Sequence, residues 1–254
     1  GKNIFRNQAT VSGYNIAVVE LFKARKFGSV AVMTDRFHAG FMGSQSKLMA
    51  DLKGLGANVL GEEYYKLNDT DFSAALTNLK GKNPAVLLIR GYPAEGALIT
   101  KQARQLGFTG QVVWEMVSPP STVLKNIAAS EMEGVFNCIP PTTEDYVKLG
   151  DAKAKALDAA YRAKFGEGPG ELTGLSFDAV HILKAAFEKA GSIENAAVNK
   201  AMGELKLADV PALTTKYTAQ PDGRLFDDKG QVDLRGVVSV WKGQGWEPMT
   251  NLSQ

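Results

Sequence analysis

The chain has 254 residues, of which 44% are hydrophobic and 22% are charged, and its formal net charge at pH 7 is +2. This composition predicts a globular protein of one large or two modest domains, and the scattered basic residues argue against a nucleic-acid partner. No apolar run approaches the roughly 18–20 residues that a membrane span requires. Because the first residues do not form a signal peptide, the chain is expected to be cytosolic or to have lost a targeting segment.

The amino-terminal half predicts alternating helices and strands. Ser12 is a suitable N-cap for a helix that continues to about Lys26, and Gly28 separates that helix from the first apolar run. Five short apolar runs predict interior parallel strands, because each is too short for a buried helix. These runs lie at 29–33, 57–60, 85–89, 112–114 and 134–139. Amphipathic segments between them predict crossover helices, so the fold class is α/β with a doubly wound parallel sheet.

The loops that follow these strands are the expected ligand site. In a doubly wound sheet, ligands bind beyond the carboxyl ends of the strands, near the point where the strand order reverses. The loops at that edge are 34–40, 90–95 and 115–118.

A second domain is predicted after Pro140-Pro141, because two successive prolines stiffen the backbone at a crossing between domains. Beyond them the sequence predicts one long helix from Thr143 to Phe165 and two more helices, Leu175–Ala190 and Ile193–Leu205. An edge hairpin near 224–233 and a strand at 237–241 are expected to follow. Residues 140–233 contain no sheet to cover the helices, so this domain is expected to be incomplete.

The sequence offers little support for catalysis or metal binding. Cys138, the single cysteine, lies in an apolar run and is expected to be a small buried hydrophobe. His38 and His181 are far apart and lack ligand spacing, so no metal is implied. No dinucleotide or triphosphate glycine motif occurs, so no cofactor is expected. Ser44 and Lys47 match an S-x-x-K string, but the K-T-G partner motif is absent.

Eight groups of short motifs point to one family. They are Phe5-Arg6; Thr34-Asp35 with Gly40; the segments 68–73, 83–86 and 101–107; 126–128 with 133–135; 176–180; and 226–230. On these motifs the chain resembles the type I periplasmic binding proteins of ABC transporters, in the branched-chain amino acid group that binds leucine, isoleucine and valine. The resemblance covers nearly the whole chain.

This resemblance implies two α/β lobes, joined by three crossing strands, that hinge closed on a small molecule. It implies that 1–139 is a complete ligand-binding lobe with a crossing strand at 1–7. Residues 140–233 would then be the helical part of the second lobe, and 234–254 the return strands to the first lobe. Family members usually carry an additional amino-terminal part that supplies the second lobe's parallel strands. A preceding segment or a separate chain is therefore an expected partner.

The resemblance also implies the ligand contacts. Amino acid binders of this family place aromatic side chains after the first and third strands of the complete lobe, and an acidic side chain for the ligand ammonium after the fourth. Here the first aromatic position falls on Ala39, beside Phe37 and His38. Tyr92 matches the second position, and the acidic position falls on Val117, two residues after Glu115.

The loops also contain planar cationic donors. Arg36 and Arg90 have guanidinium groups that suit a carboxylate. We therefore predict a ligand site of seven residues: Arg36, Phe37, His38, Arg90, Tyr92, Glu115 and Val117. An organic acid, including an aromatic acid, remains an alternative to an amino acid as the ligand.

The leading functional hypothesis is the solute-binding component of an ABC importer, in the periplasm or outside the cell, that delivers its ligand to a membrane permease. A sensory or regulatory module of the same fold is the alternative. An enzyme on an α/β scaffold is less favoured, although fold alone does not exclude one.

Overall fold

The structure is a computed structural model, and it describes residues 3–253. Its helices are α1 (Val11–Arg25), α2 (Ala39–Gly54), α3 (Ser73–Gly81), α4 (Pro93–Gln105), α5 (Pro120–Val123), α6 (Ala129–Met132), α7 (Thr143–Lys148), α8 (Ala152–Phe165), α9 (Thr173–Ala190) and α10 (Asn195–Gly203). Its strands are β1 (Ser29–Asp35), β2 (Asn58–Tyr65), β3 (Val86–Arg90), β4 (Gln111–Glu115), β5 (Phe136–Ile139), β6 (Val237–Lys242) and β7 (Gly245–Pro248). Within the described part of the chain, no helix combines the length and apolar character needed to span a membrane.

The described residues form two compact units. The sheet unit comprises 14–139 and 236–253, and the helical unit comprises 3–13 and 140–235. The division after Ile139 coincides with the proline pair. The first residues differ from the predicted division, which groups 1–139 together and starts the return strands at 234.

Hydrogen bonds to residues 230 and 231 explain why 3–13 lies in the helical unit. The backbone N–H of Arg6 donates to the Gly230 carbonyl oxygen at 2.8 Å. The side chain of Gln231 donates through Nε2 to the carbonyl oxygen of Gln8, also at 2.8 Å. These contacts involve residues more than 200 positions apart in the chain, so no local pattern could have indicated them.

The sheet unit contains a seven-stranded sheet in the order β2-β1-β3-β4-β5-β6-β7. Strands β1 to β5 are parallel, and β6 and β7 are antiparallel. The predicted α/β fold with a parallel sheet is therefore confirmed. The strand order reverses between β1 and β3, so the switch point lies between these two adjacent strands.

Both faces of this sheet are covered by helices, as the apolar runs predict for interior parallel strands. In β3, Val86 and Leu88 join a core that includes side chains of α1 and α2. Leu87 and Ile89 point to the other face and join a core that includes side chains of α3 and α4. Cys138 is fully buried in the first of these cores, and its thiol is free.

The helical unit corrects one prediction. The single helix predicted from Thr143 to Phe165 is wrong, because α7 ends before Gly150, whose φ is +88°. A left-handed residue of this kind ends a helix. Asp151 then caps α8, since its side chain accepts a hydrogen bond from the Ala154 N–H at 2.9 Å.

The carboxyl-terminal part of the helical unit pairs less than predicted. The expected hairpin at 224–233 is present only as an isolated antiparallel bridge between Phe226 and Val232, outside any named strand. Helix α10 begins at Asn195 with Glu194 as its N-cap residue, two positions after the predicted cap at Ser192.

Helix α9 has two apolar faces. One is buried and includes Ile182 and Ala186, which are 2% and 0% exposed. The other includes Val180, Leu183 and Phe187, whose exposed fractions are 66%, 45% and 43%. The second face follows an i, i+3, i+7 pattern, so these three side chains form one continuous stripe along the helix.

Candidate functional site

The predicted site residues come from the ends of three neighbouring strands. Asp35 ends β1, Arg90 ends β3 and Glu115 ends β4. Arg90 is the register partner of Thr34 on one side and of Glu115 on the other. The sheet therefore brings the loops after β1, β3 and β4 to one edge, as predicted.

Arg90 is fully buried at this edge. Its Nε donates to Glu115 Oε2 at 2.6 Å, and its Nη2 donates to Asn15 Oδ1 at 3.0 Å and to Ser44 Oγ at 2.9 Å. Its Nη1 donates to the carbonyl oxygen of Phe41 and to the side chain of Gln45. All five N–H donors of the guanidinium have protein acceptors, so none is left for a ligand.

Glu115 is also fully buried, and its Oε1 has no hydrogen-bond partner among the described residues. Burial raises the pKa of Glu115 above its ordinary value, and the charge of Arg90 opposes this rise. The predicted site is corrected here: Arg90 and Glu115 form an internal ion pair instead of facing a ligand. The physical reason is that β3 and β4 each continue one residue beyond their apolar runs.

The other predicted side chains are accessible. Phe37 is 74% exposed and Tyr92 is 40% exposed. Arg36 is exposed, and His38 and Val117 are half-buried. We call Phe37, His38 and Tyr92 the aromatic edge, because they follow the two strands that flank the switch point.

Two residues of the aromatic edge are positioned as the N-cap residues of helices. His38 is the N-cap residue of α2, and its Nδ1 accepts a hydrogen bond from the Phe41 N–H at 3.2 Å. The His38 ring lies 4.2 Å from the Phe41 ring and 5.6 Å from the Tyr92 ring, between centroids. Tyr92 is the N-cap residue of α4, directly before Pro93.

Several residues that support this edge were not found from the sequence. Asn137 lies within an apolar strand and holds the loop after β4, since its Nδ2 donates to the Met116 carbonyl oxygen at 3.0 Å and to Ser118 Oγ at 2.7 Å. Asn15 and Gln45 interrupt helix faces in a similar way. A polar residue inside an otherwise apolar pattern was the available signal, because buried polar groups need partners.

Gly91 provides space at the same edge. A Cβ at this position would lie 2.0 Å from the Tyr65 hydroxyl and 3.3 Å from Asp35 Cβ. The Tyr65 hydroxyl donates to the Arg90 carbonyl oxygen at 3.0 Å, so the ring cannot move without breaking that bond.

Gly91→Ala is therefore expected to lower the free energy of unfolding by about 1–3 kcal/mol, the usual cost of overpacking. Urea unfolding followed by circular dichroism measures this change. Gly54→Ala is the matched control, because Gly54 is helical and no atom lies within 4 Å of its added Cβ. The control should be neutral or slightly stabilising. Equal stability of the two variants would contradict the steric role of Gly91.

Within residues 3–253, no group of three or more His, Cys, Asp or Glu side chains is arranged to hold a metal ion. The edge instead offers aromatic surface, one guanidinium and the free side of one imidazole. Such groups suit a small organic ligand.

Comparisons with known proteins fit this arrangement. The family model of the periplasmic binding proteins matches residues 2–230. The leucine-, isoleucine-, valine-, threonine- and alanine-binding protein of Pseudomonas aeruginosa is 27% identical over 226 residues, covering 89% of this chain and 54% of that relative. The chain thus spans about half the length of this curated relative.

Two solved structures show the same fold. One is the branched-chain amino acid transporter substrate-binding protein of Streptococcus pneumoniae, in complex with isoleucine. Its TM-score is 0.71 at 21% identity, and the matched region covers 98% of this chain and 68% of the Streptococcus pneumoniae chain. The other is the ABC transporter solute-binding protein of Rhodopseudomonas palustris, in complex with benzoate. Its TM-score is 0.76 at 14% identity, and the matched region covers 98% of this chain and 65% of the Rhodopseudomonas palustris chain. The chain belongs to the type I periplasmic binding proteins, the family that includes the Leu/Ile/Val-binding proteins of ABC transporters.

Proposed function

We propose that the chain is the ligand-binding part of a periplasmic or extracellular solute-binding protein that serves an ABC importer. The observation that carries this proposal is the exposed aromatic edge at the switch point between β1 and β3. Ligands of doubly wound sheets bind at such points. The family consists of binding proteins, so we propose binding and release to a permease, without turnover.

The ligand is proposed to be an amino acid or a related organic acid. The Pseudomonas aeruginosa relative is named for five amino acids, and the solved neighbours hold isoleucine and benzoate. The exposed Arg36 supports a carboxylate on the ligand. Contacts to Arg36, Phe37, His38, Tyr92 and Val117 are proposed, whereas Arg90 and Glu115 act behind them as the buried pair.

The test is identification of the solute that copurifies with the whole protein, by mass spectrometry after gentle purification. A thermal-shift panel of amino acids, amides and aromatic acids then follows. A ligand at 100 times its Kd stabilises the native state by about 2.7 kcal/mol, so a true ligand gives a clear rise in melting temperature. A panel without any stabilising compound, together with no copurified solute, would contradict the proposal.

We also propose that the exposed stripe of α9 is covered in the whole protein by a β-sheet from another segment or a separate chain. Val180, Leu183 and Phe187 are large and exposed on one stripe, while the opposite face of α9 is already packed. Contiguous exposed apolar surface of this kind marks an interaction site. A sheet is favoured over a helix because an α/β lobe needs one to complete its layers.

The double substitution Val180→Glu with Phe187→Glu is expected to reduce self-association of the 254-residue chain, because it places charge on the exposed stripe. Light scattering after size exclusion measures the effect. Lys155→Glu on α8, which is also exposed, is the charge control and should leave association unchanged. We expect the wild-type chain to self-associate through this stripe. A wild-type chain that is monodisperse and unfolds cooperatively at high concentration would contradict the proposal that a sheet covers the stripe in the whole protein.

A further inference from the structure

His38 has one ring nitrogen fixed by the fold. Its Nδ1 accepts the Phe41 N–H at 3.2 Å as the cap of α2. A nitrogen that accepts a hydrogen bond holds no proton, and a neutral imidazole carries its proton on the other nitrogen. The capped form of His38 is therefore the Nε2–H tautomer, which offers a hydrogen-bond donor.

That donor has no protein partner among the residues that the structure describes. Nε2 lies across the ring from Nδ1, so its N–H points away from the first turn of α2. The ring packs against Phe41 on one side and lies near Tyr92, which is 40% exposed. His38 is only half-buried, so its free edge is open to a ligand beside these aromatic groups.

The charges around this donor favour an anion. Loop 34–40 contains two charged residues. Asp35 is 1% exposed, and its Oδ1 accepts the Phe37 N–H at 2.9 Å, whereas Arg36 is exposed. The carboxylates of the other two loops at this edge are also buried, since Glu95 is 3% exposed and Glu115 is 0% exposed. The accessible charge of these loops is therefore positive.

We infer that His38 donates its Nε2–H to a carboxylate of the ligand, and that this edge selects an aromatic carboxylate lacking an ammonium group. Phe37 and Tyr92 supply surface for the ring, and Arg36 supplies the opposite charge. This inference rests on the proposed binding function and assigns His38 as its specificity-determining residue.

The tautomer is tested without any ligand. The chain contains two histidines, so long-range proton–nitrogen spectra of ¹⁵N-histidine-labelled protein need only His181→Gln for assignment. We expect the Nε2–H pattern for His38 at pH 8. The Nδ1–H pattern would overturn the inference.

The donor role is tested with benzoate and benzamide as probes on wild type, His38→Asn and His38→Ala. Asn is a good N-cap residue, so His38→Asn retains the cap of α2, and its amide N–H donors end closer to the backbone than the Nε2–H that they replace. We expect benzoate to bind wild type at least ten times more tightly than benzamide. In His38→Asn, benzoate affinity should fall at least tenfold with little change in melting temperature, whereas His38→Ala should lose affinity and thermal stability.

The outcomes separate the two proposals. Equal benzoate affinity in wild type and His38→Asn overturns the role of His38 and leaves the binding function intact. A thermal shift with L-leucine but none with benzoate overturns the selection of an ammonium-free acid. If neither probe nor any compound of the panel binds the whole protein, both proposals fail.

Discussion

Arg90→Met is expected to lower the free energy of unfolding by about 3–5 kcal/mol, which is the usual cost of removing one partner of a buried ion pair. The substitution removes the guanidinium from five protein acceptors and leaves the Glu115 carboxylate buried without its counter-ion. Guanidinium chloride unfolding measures the loss. This loss of stability is among the largest expected, because Arg90 at the end of β3 is hydrogen-bonded to residues of α1, α2 and β4.

The double variant Arg90→Met with Glu115→Leu should recover much of this loss, since apolar residues replace buried ion pairs at little cost. A double-mutant cycle on the two positions gives the coupling free energy directly. If Glu115→Leu in the Arg90→Met background recovers nothing, the uncompensated carboxylate is not the source of the instability.

The stability of the single variant Arg90→Met should depend on pH differently from that of the wild type. Burial raises the pKa of Glu115, and Arg90→Met removes the charge that opposes this rise. A carboxyl whose pKa is raised on folding favours the folded state at low pH, and that contribution is lost as pH rises through the folded-state pKa. Relative to wild type, Arg90→Met should therefore be more destabilised at pH 8 than at pH 5. An equal loss at both pH values would contradict the assignment.

Arg90 also shows what the sequence can predict of the site. The apolar run 85–89, directly before Arg90, predicts strand β3. The alternation of such runs with helices predicts a parallel sheet whose strand ends meet at one edge. The run does not show that the strand includes the arginine itself. Its burial depends on Asn15 and Gln45, which are 75 and 45 positions away, so the chemistry that makes burial possible is tertiary.

His38 illustrates the opposite case. Sequence places it correctly in the loop after β1, but histidine is not among the preferred N-cap residues, so its capping bond is not expected. The break at Gly150 was accessible from sequence, because Gly followed by Asp combines a helix stop with a helix start. The continuous pattern of Ala and Lys around it favoured a single helix instead.

The second large effect is expected in the helical unit, from Asp178→Ala. Asp178 is fully buried, and its Oδ1 accepts the Thr214 N–H at 2.7 Å and the Thr214 hydroxyl at 3.0 Å. Its Oδ2 accepts the Thr215 N–H at 2.9 Å. One carboxylate thus fixes the loop after the 3₁₀ turn Leu207–Asp209 against α9.

Each donor left unsatisfied costs about 1–3 kcal/mol, so the loss for Asp178→Ala is expected to exceed about 3 kcal/mol. Hydrogen exchange should show faster exchange of the Thr214 and Thr215 amides before any global unfolding. Asp228→Ala is the matched control, because the Asp228 side chain is 90% exposed and its ion pair with Arg224 lies at the surface. That control should change stability by no more than about 0.5 kcal/mol.

Asp178→Asn refines this result. The amide keeps one acceptor oxygen and replaces the other with a donor, which would face the Thr215 N–H or the Thr214 N–H without a bond. An intermediate loss is expected if hydrogen bonding to the carboxylate is what fixes the loop. A loss in Asp178→Asn as large as in Asp178→Ala would show that one retained acceptor oxygen does not hold the loop. Asp178 lies in the 176–180 motif on which the family resemblance partly depends, so this comparison gives that motif a structural reason.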